Sequence, residues 1–119
     1  MRLVNLSTST VILEHLQVRS TFLGKLKGFS LQRKPQLQTG MFFFNTPSIH
    51  TWGMLFTLDV YFFDRSMKFL GKKTNLVPGS FPSSFPKTRH ILEIPHREIH
   101  FDLNLRVGDR IRILDGGLP

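Results

Sequence analysis

One segment of the chain brings together side chains that could recognise or transform a small molecule. Its members are His50, Thr51, Trp52, Met54 and Asp59. A carboxylate that accepts a hydrogen bond from the Nδ1 atom of a histidine selects one ring tautomer and leaves Nε2 as a general base or a metal ligand. We predict that Asp59 orients His50 in this way. Thr51 would then offer a hydroxyl group, and Trp52 with Met54 would form the apolar wall of a pocket.

The same two polar residues also have a purely structural interpretation. The segment is rich in aromatic residues, and a histidine and an aspartate buried among them can simply satisfy each other, because buried polar groups are nearly always hydrogen-bonded. If the pair is functional, it indicates either a ligand-binding pocket or a small hydrolase or metal-dependent enzyme that uses His50 with Asp59. The residues alone leave these alternatives open.

A second cluster, His96 and His100, has the spacing of metal ligands. Histidines four residues apart share one face of a helix, as in zinc proteases, and His90 precedes them closely enough in the sequence to suggest a third ligand. Glu98 lies between the two histidines, which is not the order of the HExxH motif. We therefore favour an incidental solvated helix and keep a metal site at His96 and His100 as the weaker alternative.

Other signatures of catalysis are absent from the sequence. The chain has no cysteine, which excludes disulfides, Cys-ligated zinc, iron–sulfur clusters and a catalytic thiol. It also lacks a Gly-x-Ser-x-Gly elbow, a Walker loop and a dinucleotide-binding glycine pattern. The sequence therefore predicts no particular cofactor and leaves open whether the protein is an enzyme.

The charge balance favours polyanionic partners. Sixteen Lys and Arg residues against eight Asp and Glu residues give a formal net charge of +8, and such a surplus attracts phosphate-rich molecules such as nucleic acids over long distances. The basic residues are scattered, without a basic tail, and no recognised nucleic-acid-binding module is present. Polyanion binding is thus one candidate, beside binding of a small ligand or a protein partner.

The length of 119 residues is that of one domain with a single hydrophobic core. We expect one domain over residues 1–119, with its core at about 10–114. No apolar run approaches the roughly 20 residues that a membrane-spanning helix needs, and no signal-peptide pattern follows Met1. We therefore expect a cytoplasmic protein without a membrane span.

Apolar and β-branched runs alternate with turn residues along most of the chain. Twelve Phe residues and no alanine favour sheet over helix. The pattern predicts strands at residues 3–6, 10–18, 41–44, 58–63, 67–70, 90–94 and 110–113, with short helices at 19–29 and 96–105 and a loop at 71–89 that includes the proline-rich residues 78–87. The predicted fold is mainly β, a small antiparallel β-barrel or sandwich with one or two short helices.

Several of these segments resemble a known family. Residues 49–64, which read IHTWGMLFTLDVYFFD, are similar to the signature of domain-of-unknown-function family 192, an uncharacterised bacterial and archaeal group. Further resemblances follow in the family's order at residues 26–29, 39–43, 92–95 and 105–109. The sequence departs from the family pattern at Thr57, where a proline is usual, and at His96 and Arg97, where a small residue and a glycine are usual.

The resemblance implies a β-barrel-like or sandwich domain with a short helix, and it implies no activity, substrate or cofactor. Together with the residue patterns, it leads us to expect a binding or accessory domain of unknown biochemical activity. Its candidate site is the segment from His50 to Asp59.

Overall fold

A computed structural model describes residues 1–19, 39–47, 57–77, 85–96 and 102–115, and these ranges contain eight β-strands. The strands are β1 (Arg2–Asn5), β2 (Thr10–Leu13), β3 (His15–Arg19), β4 (Thr39–Phe43), β5 (Leu58–Phe63), β6 (Phe69–Leu76), β7 (His90–Pro95) and β8 (Ile111–Leu114). The described ranges contain no helix, so none in them could span a membrane. The prediction of a mainly β protein is confirmed.

The strands form two sheets that pack as a sandwich. One sheet has the order β2-β1-β8 and the other β3-β4-β7-β5-β6. All neighbouring strands are antiparallel except β3 and β4, which are parallel. The sheets do not close into a barrel, so of the two predicted architectures the sandwich is the observed one.

The main hydrophobic core lies between the two sheets. Because side chains alternate along a strand, Tyr61 and Phe63 of β5 face this core, where they meet Leu3 and Ile111 of the smaller sheet. The alternate residues of β5, Leu58, Val60 and Phe62, face the other way. Together with Met41, Phe43 and Ile91 of the neighbouring strands, they form a second apolar cluster on the far face of the larger sheet.

Two predicted strand boundaries are wrong. The predicted strand at 10–18 is broken at Glu14 into β2 and β3, which belong to different sheets. The predicted strand at 67–70 extends as β6 to Leu76, so residues 71–76 are not a loop. β6 is the outermost strand of its sheet, and an outermost strand needs few apolar residues because much of it faces solvent. Its Gly-Lys-Lys-Thr-Asn stretch therefore lacks the usual strand signature.

The predicted helices have different outcomes. Residues 20–29 of the first lie outside the described ranges, whereas Arg19 ends β3. The second is wrong for residues 102–105, which are not helical. There the Asp102 carboxylate accepts a hydrogen bond from the Asn104 N–H, at 2.9 Å, and Asn104 has a left-handed φ of 57°. Both features are typical of a turn that competes with helix.

Two predicted turns are observed where their sequences indicate them. After β5, the Asp64 carboxylate accepts a hydrogen bond from the Ser66 N–H at 2.7 Å, so this residue starts the hairpin. Before β8, Gly108 adopts a positive φ of 96°, a conformation that costs glycine little.

Candidate functional site

Asp59 lies at a bulge where β5 meets β6. Leu58 pairs with Leu76 and Val60 with Lys73, so β6 has one more residue than β5 between these pairs. The extra residue is accommodated because Asn75 adopts a left-handed φ of 59°. The Asn75 N–H donates a hydrogen bond to Oδ1 of Asp59 over 2.9 Å. The carboxylate thus holds the bulge in place.

The same oxygen of Asp59 also contacts a histidine, His96, which directly follows β7. The antiparallel register of β5 and β7 aligns Leu58 with Pro95, and the His96 N–H donates to the Thr57 carbonyl oxygen at 2.8 Å. These bonds place Nδ1 of His96 at 2.7 Å from Oδ1 of Asp59. An ionised carboxylate can only accept, so Nδ1 carries the proton and Nε2 of a neutral ring is an acceptor.

The Asp59–His96 pair is only partly enclosed. The side chain of His96 is 29% exposed and that of Asp59 is 10% exposed. Asp59 lies near the start of β5, on the strand face that Tyr61 shares, and His96 directly follows the end of β7. The carboxylate is therefore shielded enough to hold the ring, while the ring itself can meet a molecule from solvent.

A buried tyrosine stands next along the same face of β5. Burial, followed by the negative charges of Asp102 and Asp59, raises the pKa of the Tyr61 hydroxyl to about 12. The hydroxyl group therefore keeps its proton at any physiological pH. Nζ of Lys72, on the neighbouring strand, lies 3.5 Å from Oδ2 of Asp102, so this end of the sandwich carries both acidic and basic groups.

Four of the predicted site residues, His50, Thr51, Trp52 and Met54, lie outside the described residues, as does His100. The pairing of His50 with Asp59 stays a prediction. The described partner of the Asp59 carboxylate is a different histidine, His96. This residue was singled out from the sequence only as a metal ligand.

The structure separates His90 from His96. They stand at opposite ends of β7, a distance of roughly 20 Å for six residues of extended chain. Nδ1 of His90 accepts the Asn45 N–H at 3.0 Å, and burial, followed by the charge of Arg89, lowers the pKa of His90. His90 thus has a structural role, as the acceptor for a backbone N–H group. Within the described ranges no three potential metal ligands cluster, and a site at His96 and His100 stays a prediction.

Glu93 is a buried acid that the sequence interpretation missed. It lies in the middle of β7, opposite Met41 of β4 and Val60 of β5, and only 6% of the residue is exposed. Burial raises the pKa of its carboxyl group to about 8. The available signal was one glutamate inside the otherwise apolar strand sequence Ile-Leu-Glu-Ile-Pro.

Solved structures of two bacterial proteins are similar to this fold. A protein of unknown function from Novosphingobium aromaticivorans DSM 12444 has a TM-score of 0.75 and 19% identity, over 95% of this chain and 84% of that one. A protein described as a "putative transcription regulator" from Sinorhizobium meliloti 1021 has a TM-score of 0.65 and 18% identity, over 93% of this chain and 89% of that one. At these identities the likeness shows the fold.

No curated protein matches the chain at a significant level. The model of one protein family, DUF192, described as Uncharacterized ACR, matches residues 4–113. This match spans nearly all of the sequence, including every described strand from β2 to β7, and it agrees with the resemblance in the segments around Asp59 and Glu93. The chain belongs to the DUF192 family, whose activity is not established.

Proposed function

We propose that the protein is a small-molecule-binding domain whose polar recognition group is the Asp59–His96 pair. The observation that carries this proposal is the double use of one oxygen. Oδ1 of Asp59 accepts from the Asn75 N–H and from Nδ1 of His96, so the carboxylate is itself anchored and in turn orients the ring. An imidazole held in this way offers a fixed Nε2 acceptor to a ligand.

The chemistry of Nε2 suggests the class of ligand group. A neutral imidazole nitrogen accepts a hydrogen bond, so it pairs with a hydroxyl or N–H group of the ligand. His50, Thr51, Trp52 and Met54 belong to the same proposal as further lining residues, because the chain leads from them directly into β5. They would add a second imidazole, a hydroxyl group and an apolar wall.

The alternative is a small hydrolase or metal-dependent enzyme that uses the same pair. An imidazole oriented by a carboxylate is also the arrangement of a general base. Within the described residues, however, no hydrogen bond joins the His96 ring to a serine or threonine hydroxyl, which a nucleophilic mechanism would use. Binding therefore explains the described contacts without a further group, whereas a nucleophilic mechanism would also need a hydroxyl group bonded to His96.

The test is the response of His96 to small polar probes. With the histidines labelled with ¹⁵N, we expect at least one member of a panel of polyols and amides to move the Nε2 resonance of His96. Binding should be lost in His96→Ala and retained in His15→Ala, a matched control because His15 is an exposed histidine on β3. If no probe moves Nε2 and His96→Ala only lowers the melting temperature, the pair is structural.

A second candidate function, polyanion binding, is favoured by a basic cleft on another part of the surface. The cleft has a volume of about 400 Å³ and is lined by Asp64, Arg65, Ser66, Lys87, Thr88 and Arg89. Its one acid is already engaged, since Oδ1 of Asp64 accepts the N–H groups of Ser66 and Lys68. The Thr88 hydroxyl and Nε of Arg89 already donate, to the Phe85 carbonyl oxygen and to Oδ1 of Asn45. The cations of Arg65 and Lys87 beside the Ser66 hydroxyl are suited to a phosphate group.

This second candidate is tested with a labelled single-stranded oligo(dT). We expect binding at low salt that weakens steeply as salt is added, and a loss of affinity in the double variant Arg65→Glu/Lys87→Glu. The matched control is Arg106→Glu/Arg112→Glu, which changes the net charge equally at exposed positions that do not line the cleft. Equal losses in both double variants would assign the binding to net charge rather than to the cleft.

A further inference from the structure

The outward surface of the smaller sheet repeats one pattern of side chains. Leu3 and Ile111 are buried in the core, so the alternate residues of β1 and β8 point away from it. The register sets three outward pairs side by side, and each pair joins one arginine to one aliphatic residue. The pairs are Arg2 with Leu114, Val4 with Arg112 and, where the Leu6 N–H donates to the Arg110 carbonyl oxygen at 2.8 Å, Leu6 with Arg110.

Two neighbouring residues extend this surface. Val11 of β2 pairs with Val4, and Lys68 forms an antiparallel bridge with Arg110. Residues directly opposite each other in an antiparallel pair have their side chains on the same face of the sheet. The outer face therefore consists of Arg2, Val4, Leu6, Val11, Lys68, Arg110, Arg112 and Leu114.

The outer face is open to solvent. Leu6 and Val11 are each 45% exposed, and Lys68, Arg110 and Arg112 are exposed as well. None of the residues of the outer face belongs to either hydrophobic cluster. Single exposed aliphatic residues are common on proteins, whereas several of them on one face are typical of a contact surface.

The charges of the outer face all have the same sign. It carries three arginines and one lysine and no acid, and none of these cations forms an ion pair with a described acid. The acids nearest in the sequence, just before or after the paired residues, are Glu14, Asp109 and Asp115. Lys68 lies directly opposite Arg110, and like charges in such a pair destabilise a sheet. An anionic partner would relieve this repulsion.

We propose that the outer face docks on a membrane surface that contains anionic phospholipids. Guanidinium groups bind phosphate oxygens through two parallel hydrogen bonds, and each cation near an anionic lipid surface strengthens binding about fivefold. The aliphatic side chains opposite the arginines would enter the boundary between the headgroups and the acyl chains.

The residue types favour lipid over nucleic acid as the anionic partner. Both partners offer phosphate groups, but nucleic acid bases stack on aromatic side chains. The apolar residues of the outer face are valines and leucines, and none of its residues is aromatic. Aliphatic side chains match the interior of a lipid headgroup layer rather than the planes of bases.

The experiment is cosedimentation with vesicles of phosphatidylcholine alone or with about one-third phosphatidylglycerol. We expect binding only to the vesicles that contain phosphatidylglycerol, and weaker binding as salt is added. Arg110→Glu/Arg112→Glu should lose at least about tenfold in affinity, and the milder Arg110→Gln/Arg112→Gln should lose less. The matched control, Arg65→Glu/Lys87→Glu, changes the net charge as much as the first variant does, at exposed positions outside the outer face, and should keep most of the binding.

A charge-neutral variant tests the aliphatic contact. Leu6→Ser/Val11→Ser should weaken vesicle binding at least about threefold and leave the binding of oligo(dT) unchanged, with thermal unfolding as the check that each variant folds. The proposal is overturned if the wild type binds neither kind of vesicle, if the two Glu double variants lose equally, or if Leu6→Ser/Val11→Ser binds vesicles like the wild type. It is also overturned if Arg110 and Arg112 are needed for oligo(dT) and not for vesicles, since the outer face would then bind nucleic acid.

Discussion

The backbone N–H of Asn75 donates to Oδ1 of Asp59 over 2.9 Å, across the bulge between β5 and β6. The same oxygen lies 2.7 Å from Nδ1 of His96. One carboxylate thus supports the backbone of an outer strand and orients a partly exposed ring. Removal of the Asp59 carboxylate and removal of the His96 ring should therefore change the stability of the protein by different amounts.

Asp59→Ala should destabilise the protein more than His96→Ala. Removal of the carboxylate leaves the Asn75 N–H, whose hydrogen bond is partly buried, without its acceptor and also frees the His96 ring, at a cost of about 3 kcal/mol. Removal of the ring leaves the bulge intact and should cost about 1 kcal/mol. Urea unfolding of the two variants and of the double variant measures the difference. Equal losses in both single variants would mean that Asp59 does not support the bulge separately.

Asn75 should tolerate glycine and resist β-branched residues. Its φ of 59° lies in the left-handed region, which asparagine and glycine adopt readily and valine does not. Asn75→Gly should therefore stay within about 1 kcal/mol of the wild type, and Asn75→Val should lose about 2 kcal/mol. Thermal unfolding provides the comparison, with Thr74→Val as the control at the neighbouring exposed position. A similar loss in the control would point to the strand rather than to the left-handed backbone.

Gly71 of β6 should not accept a side chain while Phe85 is present. A Cβ atom at Gly71 would lie 2.5 Å from Cζ of the Phe85 ring, and that ring also packs edge-on against Phe62, with 5.2 Å between centroids. Gly71→Ala should cost about 2 kcal/mol through overpacking.

The double variant Gly71→Ala/Phe85→Leu tests the cause of that cost. A leucine is smaller than the ring, so Gly71→Ala should cost less in the Phe85→Leu background than in the wild type. Denaturant unfolding of the four proteins gives the coupling energy. Additive losses would show that the glycine is needed for its backbone and not for the close approach of the ring.

The protein should lose stability between mildly acidic and mildly alkaline pH because of Glu93. Burial raises the pKa of this carboxyl group from 4.5 to about 8 in the folded state, so the folded state binds the proton more tightly than the unfolded state does. The resulting stabilisation is fully present below pH 4.5 and is lost as the pH rises to about 8. The greatest slope is about 1.4 kcal/mol per pH unit.

Urea unfolding of the wild type and of Glu93→Gln over this pH range isolates the effect, because the other titrating groups contribute equally to both proteins. The difference in unfolding free energy between them should shift steadily against the wild type as the pH rises. A difference that stays constant with pH would show that Glu93 has an ordinary pKa in the folded protein.

Local sequence determined the fold class and many of its strands. The β-branched and aromatic residues of 58–63 predict β5, and the Asp64-Arg65-Ser66 turn after it forms as its side chains indicate. Periodicity and turn chemistry act over a few residues, so they are present in the sequence itself. The same local reasoning fails at β6, whose polar residues are compatible with a strand only because it is the outermost strand of the described sheet.

Tertiary structure decided which groups meet at the candidate sites. The sequence predicted His50 as the partner of Asp59, whereas the described partner, His96, is 37 residues away. Only the antiparallel register of β5 with β7 brings Asp59 and His96 together. Glu93 likewise becomes a buried acid only because β4 and β5 flank β7 on both sides. Strand order and register depend on packing across the whole domain. A short stretch of sequence therefore does not determine which residues will be its neighbours in the fold.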